Sequence, residues 1–269
     1  MDILFHRKQY IINNIDSAIK KGFIKVYYQP VVWSKTKKLC GLEALARWDD
    51  PEYGFLPPAS FVSVLEEYRL IYKLDLFVLE SVCKDMSSYQ QDGKACIPVS
   101  VNFSRVDFEM IDVASEVDRI VNQYDIHNTN IHVEITESAL SDNNIKLRTA
   151  MSKIRDGGYS LWLDDFGSGY SALNVLKDYS FDMMKIDMKF LVSFSENQKT
   201  RTILQSIMQM AKGLGMNTLS EGVETENAAE FLSSIGCERL QGYLFGKPMP
   251  KDVLISKLND GTYVYSPEQ

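Results

Sequence analysis

Leu161-Trp-Leu-Asp-Asp-Phe-Gly-Ser-Gly-Tyr170 passes from apolar to acidic within four residues and then into glycine. Leu161, Trp162 and Leu163 have the composition of a buried strand tip. Asp164 and Asp165 follow as a pair. Adjacent carboxylates in an apolar setting repel each other and lose hydration, so they need cations or protons as partners. The Gly167-Ser168-Gly169 turn that follows gives the chain freedom to bend around whatever the acids hold. A lone Asp here would read as the cap of a helix beginning near Ser171. Two acids at the tip of an apolar strand read instead as the mouth of a metal site.

The same strand sets the rhythm of its neighbours. Upstream lies the strand Asn130-Ile-His-Val-Glu-Ile-Thr136, then a helix near 144–156. Downstream come the helix near 171–177, the strand Met183-Met-Lys-Ile-Asp187 and a helix over 199–213. The strand Met216–Ser220, a helix over 226–234, the strand Arg239–Tyr243 and a helix near 251–258 follow. Toward the N-terminus the pattern predicts helices near 59–69 and 74–91, the strand Ile97–Phe103 and a helix near 110–124. Strands alternating with helices imply a parallel sheet covered by helices.

The start of the chain differs. Tyr10, Ile11, Ile12, Ile15 and Ile19 give residues 8–21 a helical stripe that stops at Gly22. Two strand-like runs, 25–33 and 39–48, flank the polar turn Ser34-Lys-Thr-Lys-Lys38 and predict a hairpin. Eight strand-like segments suit a closed barrel, and the hairpin reverses one of them. The expected fold is α/β, a modified TIM (β/α)8 barrel with one antiparallel strand near the N-terminus. It would be one unit: an N-terminal helix over 1–22, the barrel over 23–258 and a tail over 259–269.

Composition narrows the function. The chain has 269 residues, 24% of them charged, with a formal net charge of -7. A broad nucleic-acid-binding face is therefore not expected, although divalent metals can bring a phosphodiester to an acidic site. Cys40, Cys83, Cys96 and Cys237 have neither finger nor disulfide-framework spacing. They read as reduced thiols of a cytoplasmic protein. Residues 1–22 carry seven charged or imidazole side chains and no long apolar run, so neither a signal peptide nor a membrane span is expected there.

A barrel builds its site at the C-terminal ends of its strands. Polar residues interrupt the apolar runs at that end on seven strands: Glu43, Asn102, Glu134, the Asp164–Asp165 pair, Lys185, Glu221 and Gln241. Packing alone does not explain seven such interruptions, because an unpaired buried carboxylate costs several kcal/mol. Five carboxylates and an amide oxygen, without Cys or His, favour Mg²⁺ or Mn²⁺. Five exceed the needs of one ion, which points to two ions per site, a pairing suited to phosphoryl transfer. Lys185 would add positive charge near the nucleophile or phosphate. His132 reads as a hydrogen-bonded structural residue. Met183, Met184, Met188, Met208 and Met210 read as core.

These positions fall in blocks: Tyr28-Gln-Pro30, Glu43-Ala-Leu-Ala-Arg-Trp48, Ser100-Val-Asn102, Glu134-Ile-Thr-Glu137, Asp164-Asp-Phe-Gly167, Lys185-Ile-Asp187, Glu221-Gly-Val-Glu224 and Gln241-Gly-Tyr243. In this order they resemble the EAL family of cyclic-di-GMP phosphodiesterases. The resemblance implies that Glu43, Asn102, Glu134 and Asp164 are ligands of one metal, with Asp164 bridging and Asp165 holding the second. It implies that Lys185 and Glu221 partner the attacking water. Glu137 resembles the glutamate that holds the loop after Asp165, and Glu224 a supporting carboxylate. Gln29, Leu45, Arg47 and Gln241 resemble substrate contacts. Ser168 stands where the family often has Thr, and Phe103 and Arg105 are less usual after Asn102.

The implied activity is hydrolysis of cyclic di-GMP to linear pGpG by a water activated on two metals. A catalytically silent cyclic-di-GMP receptor of the same fold would be expected to lack a ligand or the lysine, and none is missing. A lyase using Lys185 as a Schiff base would need a lysine uncrowded by acids. The resemblance also implies a homodimer through the 166–173 region, where Phe166, Tyr170 and Leu173 would meet a second subunit. At this length no sensory or cyclase domain is expected beside the barrel, as in a stand-alone enzyme or an excised domain.

Overall fold

The structure is a computed structural model that describes residues 2–140, 145–167, 172–187 and 198–268. The chain opens with α1 (Asp2–Lys20), then the hairpin β1 (Ile24–Trp33) and β2 (Leu39–Asp50), and the short β3 (Gly54–Leu56). Next come α2 (Pro58–Glu67), α3 (Ile71–Gln91), β4 (Val99–Asn102), α4 (Arg105–Met110), α5 (Val113–Gln123) and β5 (Ile131–Thr136). A short 3₁₀ turn, Glu137–Leu140, leads to α6 (Ile145–Asp156), β6 (Ser160–Phe166), α7 (Ala172–Asp178) and β7 (Met183–Ile186). The chain ends with α8 (Gln198–Gly213), β8 (Asn217–Ser220), α9 (Glu226–Ser234), β9 (Arg239–Gln241), β10 (Met249–Pro250) and α10 (Lys251–Asn259).

The order β2-β4-β5-β6-β7-β8-β9 is parallel throughout. β1 closes the ring by pairing antiparallel with both β2 and β9. The result is the expected eight-stranded barrel with one reversed strand. Seven strands therefore deliver their C-terminal ends to one mouth. β3 and β10 were not expected; they are two- and three-residue additions to the flanks of β1 and β2.

β2 does not stop at Glu43. It pairs with β4 only at Leu42 and Glu43 and then runs on to Asp50 against β1 and β3. That overshoot carries a second apolar cluster, in which Trp48 and Leu56 pack with Ile11 and Ile15 of α1, Phe61 and Leu65 of α2 and Leu74 of α3. Buried Asp50 pins it, accepting hydrogen bonds from the Tyr10 hydroxyl and the Trp48 indole, 3.0 Å each, and from two backbone N–H groups.

The helix expected near 110–124 is α5, and a short helix that was not expected, α4, lies just ahead of it. Ser104 and Asp107 form a capping box that starts α4, and Asp112 caps α5 by accepting from Ser115 N. Two caps so close together break the run at Ile111, which is extended.

The barrel floor is polar and aromatic. The Arg239 guanidinium lies 5.0 Å from the Trp33 ring and 5.5 Å from Trp162. His132 stacks on Trp162 with ring centroids 4.5 Å apart. It was expected to be hydrogen-bonded, but its buried Nδ1 has no partner and stacking holds the ring instead. Burial, with Arg239 adding to it, pushes its pKa down to about 3, so the imidazole is neutral.

Met183, Met184 and Met208 are core residues, Met210 packs on its edge, and Met188 lies outside the described residues. All four cysteines are free thiols. No helix among the described residues is long and apolar enough to cross a membrane.

Candidate active site

Lys185, on β7, occupies the middle of the mouth and is 1% exposed. Its Nζ lies 2.5 Å from Glu134 Oε2, 2.6 Å from Glu221 Oε1, 3.1 Å from Asp164 Oδ1 and 3.6 Å from Glu43 Oε1. Register brings these groups together: β6, β5, β4 and β2 lie side by side, with Asn102 opposite Glu134 and Thr136 opposite Asp164. Burial alone would strip the lysine of its proton. The four carboxylates outweigh that effect and hold its pKa well above the usual value.

The acids pay the reciprocal cost of crowding. Burial pushes Glu134 well above the usual carboxylate range, and Glu43 and Asp164 add to the shift against the opposing pull of Lys185. Burial likewise pushes Glu221 up to about 8. Four carboxylates around a single ammonium remain short of positive charge. Glu134 Oε1 is buried without any hydrogen-bond partner. Carboxylate oxygens of Asp164, Asp165 and Glu221 converge within 4.8 Å of one another. This set of hard oxygen donors fits divalent cations such as Mg²⁺ or Mn²⁺.

Asp165 shows how the chain delivers two acids at once. Its φ is 55°, in the left-handed region, and the β6–β7 register shifts between Leu163 and Phe166. The bulge turns Asp165 toward the mouth instead of the opposite face of the sheet. Asp tolerates that conformation better than a branched residue. Asp165 N donates to Asp164 Oδ1 at 2.8 Å, which fixes the first acid with the backbone of the second. Glu137, just past β5, accepts from Gly167 N at 2.8 Å and so ties down the turn that follows.

The amide side chains complete the wall. Asn102 Nδ2 donates to Glu43 Oε1 at 3.0 Å, leaving its carbonyl oxygen for a ligand. Gln241 Nε2 donates to Glu43 Oε2 at 2.5 Å and to Gln29 Oε1 at 3.2 Å. A cavity of about 760 Å³, counting its open mouth, is lined by Gln29, Glu43, Leu45, Asp164, Glu221, Glu224 and Gln241 together with Gly222, Gly242 and Tyr243. Leu45 shares a face of β2 with Glu43 and Arg47. Arg47 lines an adjoining cavity with Asn102, and Glu224 is an exposed member of the first cavity's lining.

Phe166 is 3% exposed and belongs to the main core of its own chain, so it does not offer a surface to a partner. Ser168, Gly169 and Tyr170 lie outside the described residues. Two acids that the sequence reading passed over, Glu66 and Asp75, line the adjoining cavity. A carboxylate on an amphipathic helix reads as part of its solvent face, and only the packing of α2 and α3 turns these two inward.

The family model described as EAL domain matches residues 12–248. The chain is 30% identical over 249 residues to the bifunctional diguanylate cyclase/cyclic di-GMP phosphodiesterase MucR of Pseudomonas aeruginosa, covering 92% of this chain and 36% of that protein. It is 33% identical over 233 residues to the cyclic di-GMP phosphodiesterase NbdA of the same organism, covering 87% of this chain and 30% of that protein. The chain thus spans about a third of the length of these relatives. A solved structure of the PaMucR phosphodiesterase in complex with c-di-GMP superposes with a TM-score of 0.84 at 29% identity, covering 91% of this chain and 99% of that one. With a matching barrel, an acid-lined mouth at its C-terminal rim and a family match over most of its length, this chain belongs to the EAL domain family.

Proposed function

We propose that this chain is a metal-dependent phosphodiesterase that hydrolyses cyclic di-GMP to linear pGpG. One observation carries the reading. The carboxylates expected of a two-metal site meet around Lys185 at a single mouth, with Glu134 Oε1 buried and unpartnered. Glu43, Asn102, Glu134 and Asp164 would hold one Mg²⁺ or Mn²⁺, and Asp164 and Asp165 the second. When bound, the two ions supply an activated water and offset the charge that builds on the phosphoryl oxygens.

The chain's own residues supply the rest. Lys185 keeps its proton because four carboxylates surround it, and it offers a donor to the nucleophile. Glu221, 2.6 Å away, sets a proton acceptor beside that donor. Added divalent charge would draw its pKa back down from about 8 and favour the accepting form. Gln29, Leu45, Arg47 and Gln241 would orient the dinucleotide along the wall. Glu137 would set the turn after Asp165, and Glu224 would be a supporting carboxylate of the mouth. The complete ligand set argues against a silent receptor. We further propose a homodimer built on the exposed start of α7.

Turnover of cyclic di-GMP with identification of the product tests the reading. EDTA should abolish it, and Mg²⁺ or Mn²⁺ should restore it. Ca²⁺ should inhibit, since its larger radius and looser coordination misplace the water. Full activity in excess EDTA would sink the two-metal mechanism.

A further inference from the structure

We propose that Tyr263, in the tail beyond the family match, is a positioning residue for the metal site, acting through a chain of amides that ends on Glu43. The proposal rests on the reading of Glu43 as a metal ligand.

The observations form one continuous path. The Tyr263 hydroxyl donates to the Phe245 carbonyl at 2.9 Å. The next carbonyl, that of Gly246, accepts from Gln29 Nε2 at 3.3 Å. Gln29 Oε1 then accepts from Gln241 Nε2 at 3.2 Å, and the same nitrogen donates to Glu43 Oε2 at 2.5 Å.

This path carries a direction. A carbonyl can only accept, so Gly246 forces Gln29 to present its nitrogen there and its oxygen to Gln241. Gln241 must then answer with nitrogen, and both of its protons are used, on Gln29 and Glu43. Reversing either amide would set an oxygen against an oxygen, in the second case against the Glu43 carboxylate. The position of one backbone carbonyl therefore decides which atom of Gln241 faces the metal ligand. It also leaves Gln241 Oε1 buried without a partner in the wall of the site.

Tyr263 fixes that carbonyl from behind. Gly246 is packed so closely against the Tyr263 hydroxyl and the Pro30 ring that a Cβ there would collide with both. The tail is itself anchored: Leu39 N donates to Val264 O at 3.0 Å, Ser266 N to Leu39 O at 2.9 Å and the Trp33 indole to Ser266 O at 2.8 Å. The family match ends at residue 248, so the brace comes from residues beyond the matched stretch.

The test measures Mn²⁺ binding by titration calorimetry on the full chain, together with melting temperature. It compares wild type, Tyr263→Phe, Gln29→Leu and the double variant. Tyr263→Phe keeps the ring and removes the donor. It should weaken Mn²⁺ binding about fivefold, the effect of roughly one hydrogen bond. The double variant should bind no more weakly than Gln29→Leu alone, because both changes break one path. A purely structural tyrosine would lower the melting temperature and leave Mn²⁺ affinity unchanged. That result, or additive effects in the double variant, overturns the proposal, as does a wild type that binds no Mn²⁺. If wild type binds Mn²⁺ but does not hydrolyse cyclic di-GMP, the phosphodiesterase reading fails while this inference stands on its binding data.

Discussion

Lys185 is the counter-charge that lets four carboxylates share one buried space. Replacing it by Met should leave those acids uncompensated. In chelator we expect a loss of about 3–5 kcal/mol, the usual result of removing one partner of a buried ion pair. Without the lysine, the folded pKa values of Glu134 and Glu221 rise further above their unfolded values. The folded state then holds extra protons, so the variant's deficit should grow as pH rises from about 4. Added Mn²⁺ should raise its melting temperature more than that of wild type. Melts at pH 5 and 7.5, with chelator and with Mn²⁺, check this, and a variant as stable as wild type in chelator would remove Lys185 from the role. The polar members of the site were legible in the sequence because apolar strands make any charge conspicuous. The left-handed φ of Asp165 was not, because it depends on the register between β6 and β7, nor was the amide path from Gln29 to Glu43, because it joins strands far apart in the chain.

At the level of elements, periodicity and turn residues locate most helices and strands to within a few positions. They miss features made by competition between local signals. The Ser104 cap starts a short helix ahead of the expected one, and the overshoot of β2 is offset by apolar packing with α1 and α2. Asp107 does more than cap. Its Oδ2 accepts from Ser104 N at 2.7 Å, and its carboxyl faces Asp75, with Glu66 nearby. Burial pushes Asp107 up to about 6, and burial and Asp107 push Asp75 well up. Two hydrogen-bonded carboxyls hold a proton that the unfolded chain releases near pH 4. The folded state therefore binds more protons across that interval. Stability should fall as pH rises from about 4 to about 6, by on the order of 3 kcal/mol from Asp107 alone, and go on falling while the raised Asp75 keeps its proton. Asp107→Asn supplies a permanent N–H donor to Asp75 and an oxygen for Ser104 N, so its stability should vary little over that interval. Urea midpoints across the pH range give the comparison, and parallel curves for the two proteins would show that the pair holds no such proton.

At the scale of the whole molecule, the fold class was readable because strand and helix alternate from residue 97 onward. The closing partners of β1 were not, since hydrophobic pattern does not say which distant strand a reversed strand will join. The proposed dimer belongs to this scale. Leu173 is 69% exposed at the start of α7, close to the 3₁₀ turn that begins with Glu137. Leu173→Glu should convert a dimer to a monomer by light scattering. Glu137→Ala releases Gly167 N and should raise the Mn²⁺ requirement and slow turnover with the fold retained. Unchanged mass, metal requirement and rate in both variants would reduce the region to a connector.

The reversed strand also has a consequence for biosynthesis. β1 and β2 form a local hairpin, but β1's other neighbours are β9 and β10, and Gln29 meets Gln241 across 212 positions. The tail then adds a bridge between Leu39 and Tyr265. While the ribosome is still making the middle of the chain, β1 therefore has one edge with no partner available. A strand edge in that state can pair with other chains. Closure has to wait for β9 and β10, and contacts of such long range form slowly. A nascent chain that stalls before β9 would carry every helix through α9 and still be the species most prone to aggregate.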